Sequence, residues 1–319
     1  MKPFHRRIFA MKYFRSIKTA FPAVGFLLCV SPSSANEFYL LNLSVGEESN
    51  VPRGIDAFHE LESTFMRAGV TAGKRIQLGI NDSLTFTGNL NYRRFDELRG
   101  FDRIELGAGA SYRYKFGFGP FAPAANASVN FNVENGAGQA RDTEVAQIEF
   151  SVGKRFQSGF TLGVGIDYQR NTTNYLEDDP AVEAFDYDPL NSLSNELFDF
   201  ESISAFFAVD YEFSSGWRAS LNYRRINGFT VASTTKPSLK IYKISDAFYS
   251  DPAFSTSGSE TSWFGYLLET NSDQWEGALS IPLSMDTSID FSVNWTDISA
   301  PESGNYQNTI FAITFIHSL

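Results

Sequence analysis

The sequence predicts an all-β chain: a transmembrane antiparallel up-and-down β-barrel of about twelve strands, with ten as the fallback count, behind an N-terminal signal peptide. Three observations predict it. Apolar residues recur with period two almost throughout the chain after residue 36. Tight Gly, Asn, Ser and Asp turns alternate with longer polar stretches. The first 35 residues have the order of an export leader.

In that leader Lys2, Arg6, Arg7, Lys12, Arg15 and Lys18 form a basic stretch, Ala20 to Val30 is apolar, and Ser33-Ser34-Ala35 supplies small residues before Asn36. Cleavage is expected after Ala35, giving a signal peptide over 1–35 and a barrel over 36–319. Met11 is an alternative start that leaves the mature chain unchanged. The apolar core is only about half of the roughly 20 residues that a spanning helix needs. The one cysteine, Cys29, is preceded by Leu28 where lipoprotein signals need a small residue, so acylation is the weaker reading. The mature chain then has no cysteine, which suits an oxidising compartment.

Removing the six leader cations from the 26 Lys and Arg leaves 20 against 37 Asp and Glu. Such an acidic balance argues against a nucleic-acid partner.

The clearest strand is 103–116. Ile104, Leu106, Ala108, Ala110, Tyr112, Tyr114 and Phe116 share one face, and Arg103, Glu105, Gly107, Gly109, Ser111, Arg113 and Lys115 share the other. Segments 160–169 and 289–296 alternate in the same way. The expected strands are 37–46, 61–79, 84–95, 102–116, 121–133, 143–156, 159–170, 199–213, 217–230, 272–283, 287–297 and 306–319. An even count puts both termini on the periplasmic side. The gap at 231–271 reads as a long extracellular loop with a hairpin at Leu239 to Ile244.

Alternation alone also fits a soluble sandwich or a lipocalin-like barrel. Aromatic ends on the apolar faces (Tyr112, Tyr114, Tyr168, Trp217, Tyr223, Trp295), tight turns such as Asn81-Asp82-Ser83 and Ser214-Ser215-Gly216, and a terminal strand favour the membrane barrel. On these features, and on Phe311, Ile313 and Phe315 alternating in the last strand, residues 36–319 resemble the Gram-negative outer-membrane β-barrel proteins as a class. The departures are a terminal Leu319 where the class usually has Phe, and His317 at an alternating position that is usually apolar. The resemblance implies residence in the outer membrane among lipid and lipopolysaccharide, with the barrel-assembly machinery and periplasmic chaperones as partners in biogenesis. Twelve-stranded uptake channels of that class include Arg-rich ones for acidic oligosaccharides and aromatic-lined ones for nucleosides, and this chain matches neither.

If the apolar face meets lipid, the other face lines the lumen. Its charges are Arg67, Arg93, Arg103, Glu105, Arg113 and Lys115 on strands two to four, and Glu149, Asp167, Asp210, Glu212, Arg218, Arg224, Glu276 and Asp290 on strands six to eleven. A mainly basic wall facing a mainly acidic one would orient ions and polar solutes in a passive channel. The alternative is that these charges pair and seal the lumen, leaving a structural barrel that displays its loops. The small inner residues Gly107, Gly109, Gly163 and Gly165 favour open space.

Enzyme readings are weak. The mature chain has two histidines; His59 is followed by Glu60 and Leu61, without the His-x-Ser spacing of barrel lipases, and His317 lies at the periplasmic end. As the one loop histidine, His59 is also the sole candidate for an Asp-His protease pair. No cofactor or zinc-site spacing is present. The stretch Glu177-Asp178-Asp179 with Glu183, Asp186 and Asp188 reads as a solvated acidic loop, with Ca²⁺ binding as the alternative.

Overall fold

The computed structural model describes residues 37–136, 141–173, 197–235, 239–255, 263–300 and 304–319. The acidic stretch 177–188 lies outside the described residues. The strands are β1 (Glu37–Glu48), β2 (Ser63–Gln77), β3 (Asp82–Phe95), β4 (Arg103–Lys115), β5 (Ala124–Asn135), β6 (Thr143–Arg155), β7 (Phe160–Thr173), β8 (Phe200–Glu212), β9 (Arg218–Thr234), β10 (Ser245–Ser250), β11 (Phe264–Pro282), β12 (Thr287–Ser299) and β13 (Tyr306–Ser318). Each pairs antiparallel with its neighbour, β9 pairs directly with β11, and β13 returns to β1 from Leu40↔Ser318 to Glu48↔Ile310. The result is a closed barrel of twelve strands, with β10 outside the ring. Closure satisfies every strand edge, which a span through hydrocarbon requires.

The outer face follows from the dyad pattern. Leu43, Met66, Leu90, Phe131, Phe150, Val164 and Phe311 are exposed apolar side chains on the outward positions. Tyr112, Tyr114 and Trp217 stand at the strand ends nearest the β4–β5 and β8–β9 turns, while Tyr92 and Tyr168 stand near the opposite ends. An apolar band between aromatic girdles is the surface that a bilayer covers.

Connections 78–81, 116–123, 156–159, 213–217 and 283–286 lie at one end of the barrel. The 49–62 and 96–102 connections lie at the other, together with the strand ends at Asn135, Thr143, Thr173, Phe200, Thr234, Phe264, Ser299 and Tyr306. The separation into short and long is not uniform: β5 starts at Ala124 instead of 121, which makes the β4–β5 turn longer than the β3–β4 connection.

The largest correction concerns 231–271. The expected long loop is largely ordered structure: β9 continues to Thr234, β11 begins at Phe264, and the two pair from Phe264↔Thr234 downward. The expected hairpin at Leu239–Ile244 is a short helix, and β10 pairs with the same end of β11, from Ser245↔Leu268 to Ser250↔Phe264. The β8–β9 ladder ends at the pair Ser202↔Gly228. Gly228 has φ +156°, and a Cβ there would collide with the Glu201 carbonyl and with Ser202, so glycine allows β9 to leave β8 at this point.

Above this bend the β9–β11–β10 extension is buried on both faces. Ala232, Ile241, Phe248, Phe264, Tyr266 and Leu268 form one cluster; Leu197, Phe198, Val231, Ala247 and Leu267 form the other. Each fully buried large side chain contributes about 1.5–3 kcal/mol. These strand ends become a small core because a layer packs on either side of them. We call this extension, with residues 239–255, the cap.

Candidate functional site: the barrel interior and its capped mouth

The cap is fastened to connections all round the long-loop end. Towards β1–β2, the Ser233 amide donates to the Pro52 carbonyl at 3.0 Å, Arg53 Nη1 donates to Thr230 Oγ1 at 3.0 Å, and the Thr235 amide donates to His59 Nε2 at 3.1 Å. On the rim opposite the β9–β11 root of the cap, Gly100 of the β3–β4 turn lies so close to the Ala253 carbonyl that any Cβ would collide with it, and Phe101 meets Phe254 edge-on at 5.4 Å. From the β5–β6 connection, Arg141 grips Asp251 through Nε (3.0 Å) and Nη2 (2.8 and 2.7 Å). The Asp251 side chain is fully buried and also accepts from Ser233 Oγ at 2.5 Å. Contacts to opposite rims mean that the cap crosses the mouth. Beneath it lies a cavity of about 520 Å³, lined among others by Arg53, Arg93, Phe95, Arg141, Phe198 and Tyr306.

Arg53 is the one described non-glycine residue in the left-handed region, with φ 57°. Its turn is held by buried Asn50, whose Oδ1 accepts from the Gly54 amide at 2.9 Å and whose Nδ2 donates to the Gly54 carbonyl at 3.1 Å. Burial raises the Tyr266 hydroxyl above the ordinary tyrosine range, against which only the Ile55 backbone acts.

Inside the barrel, the register puts all fourteen charges named from the sequence on the inward positions, opposite the exposed apolar side chains. Many are paired along their own wall. Arg93 Nη2 meets Glu48 Oε2 at 2.6 Å, two strands away, with its guanidinium between the Phe65 and Phe95 rings at 4.1 and 4.5 Å. Arg103 pairs with Glu134 at 3.1 Å, Arg218 with Asp210 at 2.8 Å and Arg155 with Glu212 at 2.7 Å. Arg224 contacts both Asp167 and Ser204, and Ser204 Oγ donates to Asp167, which makes a buried three-membered network. Glu105 accepts from Asn89 Nδ2 at 3.1 Å and Asp290 from Ser288 Oγ at 3.1 Å.

Among the described residues Arg67, Arg113, Lys115, Glu149 and Glu276 make no ion pair. Glu105 and Asp290 also make no ion pair, so the unpaired cations lie on β2 and β4 and the unpaired carboxylates on β4, β6, β11 and β12. Arg67 is within Coulombic reach of Glu276 across the barrel and of Arg103 and Glu105 beside it. The sequence reading missed the partners Glu48, Glu134 and Arg155. Arg155 carried the correct parity, whereas Glu48 and Glu134 lay beyond the expected ends of β1 and β5.

Of the four glycines expected to leave open space, Gly163 has room for a Cβ and the other three do not. A Cβ on Gly107 would collide with the Asn132 and Asn89 amides, one on Gly109 with Asn130, and one on Gly165 with the Phe206 ring. Neighbouring side chains lie across these positions.

His59 is 1% exposed, with Asp56 at 3.7 Å and the Trp263 ring at 5.4 Å. A ring enclosed in this way, with Nε2 accepting a backbone amide, holds the cap to the β1–β2 connection. Among the described residues no cluster of His, Cys, Asp and Glu is arranged to hold a metal.

No protein-family model and no curated protein matches the chain. Solved structures do. An outer membrane channel from Pseudomonas putida F1 superposes with a TM-score of 0.54 at 9% identity, over 88% of this chain and 96% of that one. The two share the fold, a closed antiparallel β-barrel. The β domain of the Bordetella autotransporter BrkA (TM-score 0.44, 10% identity, 89% and 100% covered) and the channel DcaP of Acinetobacter baumannii (0.42, 8%, 89% and 96%) are also similar.

Proposed function

We propose that residues 36–319 form a passive outer-membrane channel for small hydrophilic solutes, exported by a signal peptide cleaved after Ala35. The observation that carries this reading is that Arg67, Arg113 and Glu276 point inward, lack ion-pair partners and are solvent-exposed. In a sealed interior such charges would have to find partners, because burying an unpaired ion costs several kcal/mol. A water-filled lumen removes that cost. The partners are lipid and lipopolysaccharide around the barrel, and the assembly machinery and chaperones during biogenesis. The reading is non-enzymatic, since the buried His59 ring is engaged in holding the cap.

The cap supports a second reading, a closed barrel that presents a folded surface to the outside. Swelling of proteoliposomes separates the two. Vesicles containing refolded 36–319 should swell in isotonic arabinose faster than empty ones; equal rates would favour the closed barrel.

A further inference from the structure

On the inner face, the β1–β5 wall carries a repeated cross-strand arrangement. Asn42 of β1 pairs with Gly69 of β2, which pairs with Asn91 of β3. Asn89 of β3 pairs with Gly107 of β4, which pairs with Asn132 of β5. Gly109 follows, between Thr87 and Asn130. A Cβ on Gly69 would collide with the amides of both Asn91 and Asn42, and Gly107 is flanked in the same way. The carboxamides therefore lie sideways over the glycine backbone instead of reaching into the lumen. These asparagine side chains are partly exposed. Among the described residues the side chains of Asn42, Asn91, Asn130 and Asn132 make no hydrogen bond.

A wall of flat, unpartnered carboxamides has a definite chemistry. Each amide donates and accepts at once, as does a sugar hydroxyl, and it carries no charge. Arg67 has Arg103, Glu105 and Glu276 within Coulombic reach, two cations and two carboxylates in all, so this level of the lumen favours neither sign of solute. The glycines keep the wall flat enough for a ring to pass along successive rows.

We propose that the β1–β5 wall recognises neutral polyhydroxylated solutes, short sugars as a class, through these asparagine rows. This rests on the channel reading above, and the test separates the two. Ion current through refolded 36–319 is recorded in a planar bilayer while maltose is added, with lactobionate as an anionic control of similar size. Maltose should reduce the current saturably at lower concentration than lactobionate. Replacing Asn42, Asn91, Asn130 and Asn132 together by Leu should raise the maltose half-block concentration about tenfold, as expected for losing one or two neutral hydrogen bonds, while leaving discrete ion steps. If the fourfold variant fails to give a heat-modifiable folded band, Asn130→Thr with Asn132→Thr carries the same comparison. Ion steps with no maltose block, equal block by both solutes, or an unchanged half-block concentration in the variant would overturn the sugar proposal alone. Absence of steps in the unaltered protein would overturn the channel reading and this proposal with it.

Discussion

Arg224 and Arg67 show how the same side chain does different work inside this barrel. Arg224 is tied to Asp167 and Ser204, and Asp167 is only 6% exposed. Arg224→Ala strands a buried carboxylate and should cost up to about 3–5 kcal/mol, less where water reaches the site, read as a lower temperature for loss of the folded band in detergent. Arg67 and Arg113 have no partner, so removing them changes the field and little else. Replacing both by Ala should move the reversal potential in a salt gradient towards cation selectivity, and Glu276→Gln should move it the opposite way; unmoved potentials would show that these groups lie off the ion path. Which face each charge occupies was legible from period two alone. Which charge it meets was not, because Arg93–Glu48 and Arg155–Glu212 bridge next-but-one strands, and that depends on register, which alternation leaves open.

The cap is where element-level reading failed. Residues 231–271 lack the long alternation of the wall strands, since β9 and β11 become two-sided above Gly228 and bury both faces. A strand buried on both faces gives no amphipathic signal. Arg141→Ala removes the counter-ion of fully buried Asp251 and should release the cap from the β5–β6 side, giving larger or noisier conductance steps than the unaltered protein. Tyr266→Phe should change cap stability by no more than about 1.5 kcal/mol, because the buried hydroxyl meets little besides the Ile55 backbone, whereas Tyr266→Ala should loosen it by roughly 3–5 kcal/mol. The folded cap holds the Tyr266 proton more tightly than an open one, so cap stability is intact below about pH 10 and falls as pH rises above it. Protease sensitivity of 239–255 against pH reads this directly.

At the scale of the whole molecule the determining feature is an apolar exterior around a polar interior, the inverse of a soluble barrel with a greasy pocket. Twelve strands, their order and the outward aromatics were all legible, because lipid outside and water inside impose one alternation on nearly every strand. Placing a charge on the outer face at mid-strand tests that assignment: Phe131→Lys or Leu90→Lys should cost about 2–4 kcal/mol and reduce insertion into bilayers, while Asn130→Lys one residue away should not. The interior holds unpaired, wetted charges and flat amide rows beneath a cap that spans the mouth, and this combination is the basis for a channel. The most direct measurement is the single-channel conductance of refolded 36–319 in a planar bilayer. Discrete, voltage-independent steps that grow when Arg141 is replaced by Ala are the predicted result; a heat-modifiable, properly folded barrel that stays electrically silent with and without that substitution would contradict it.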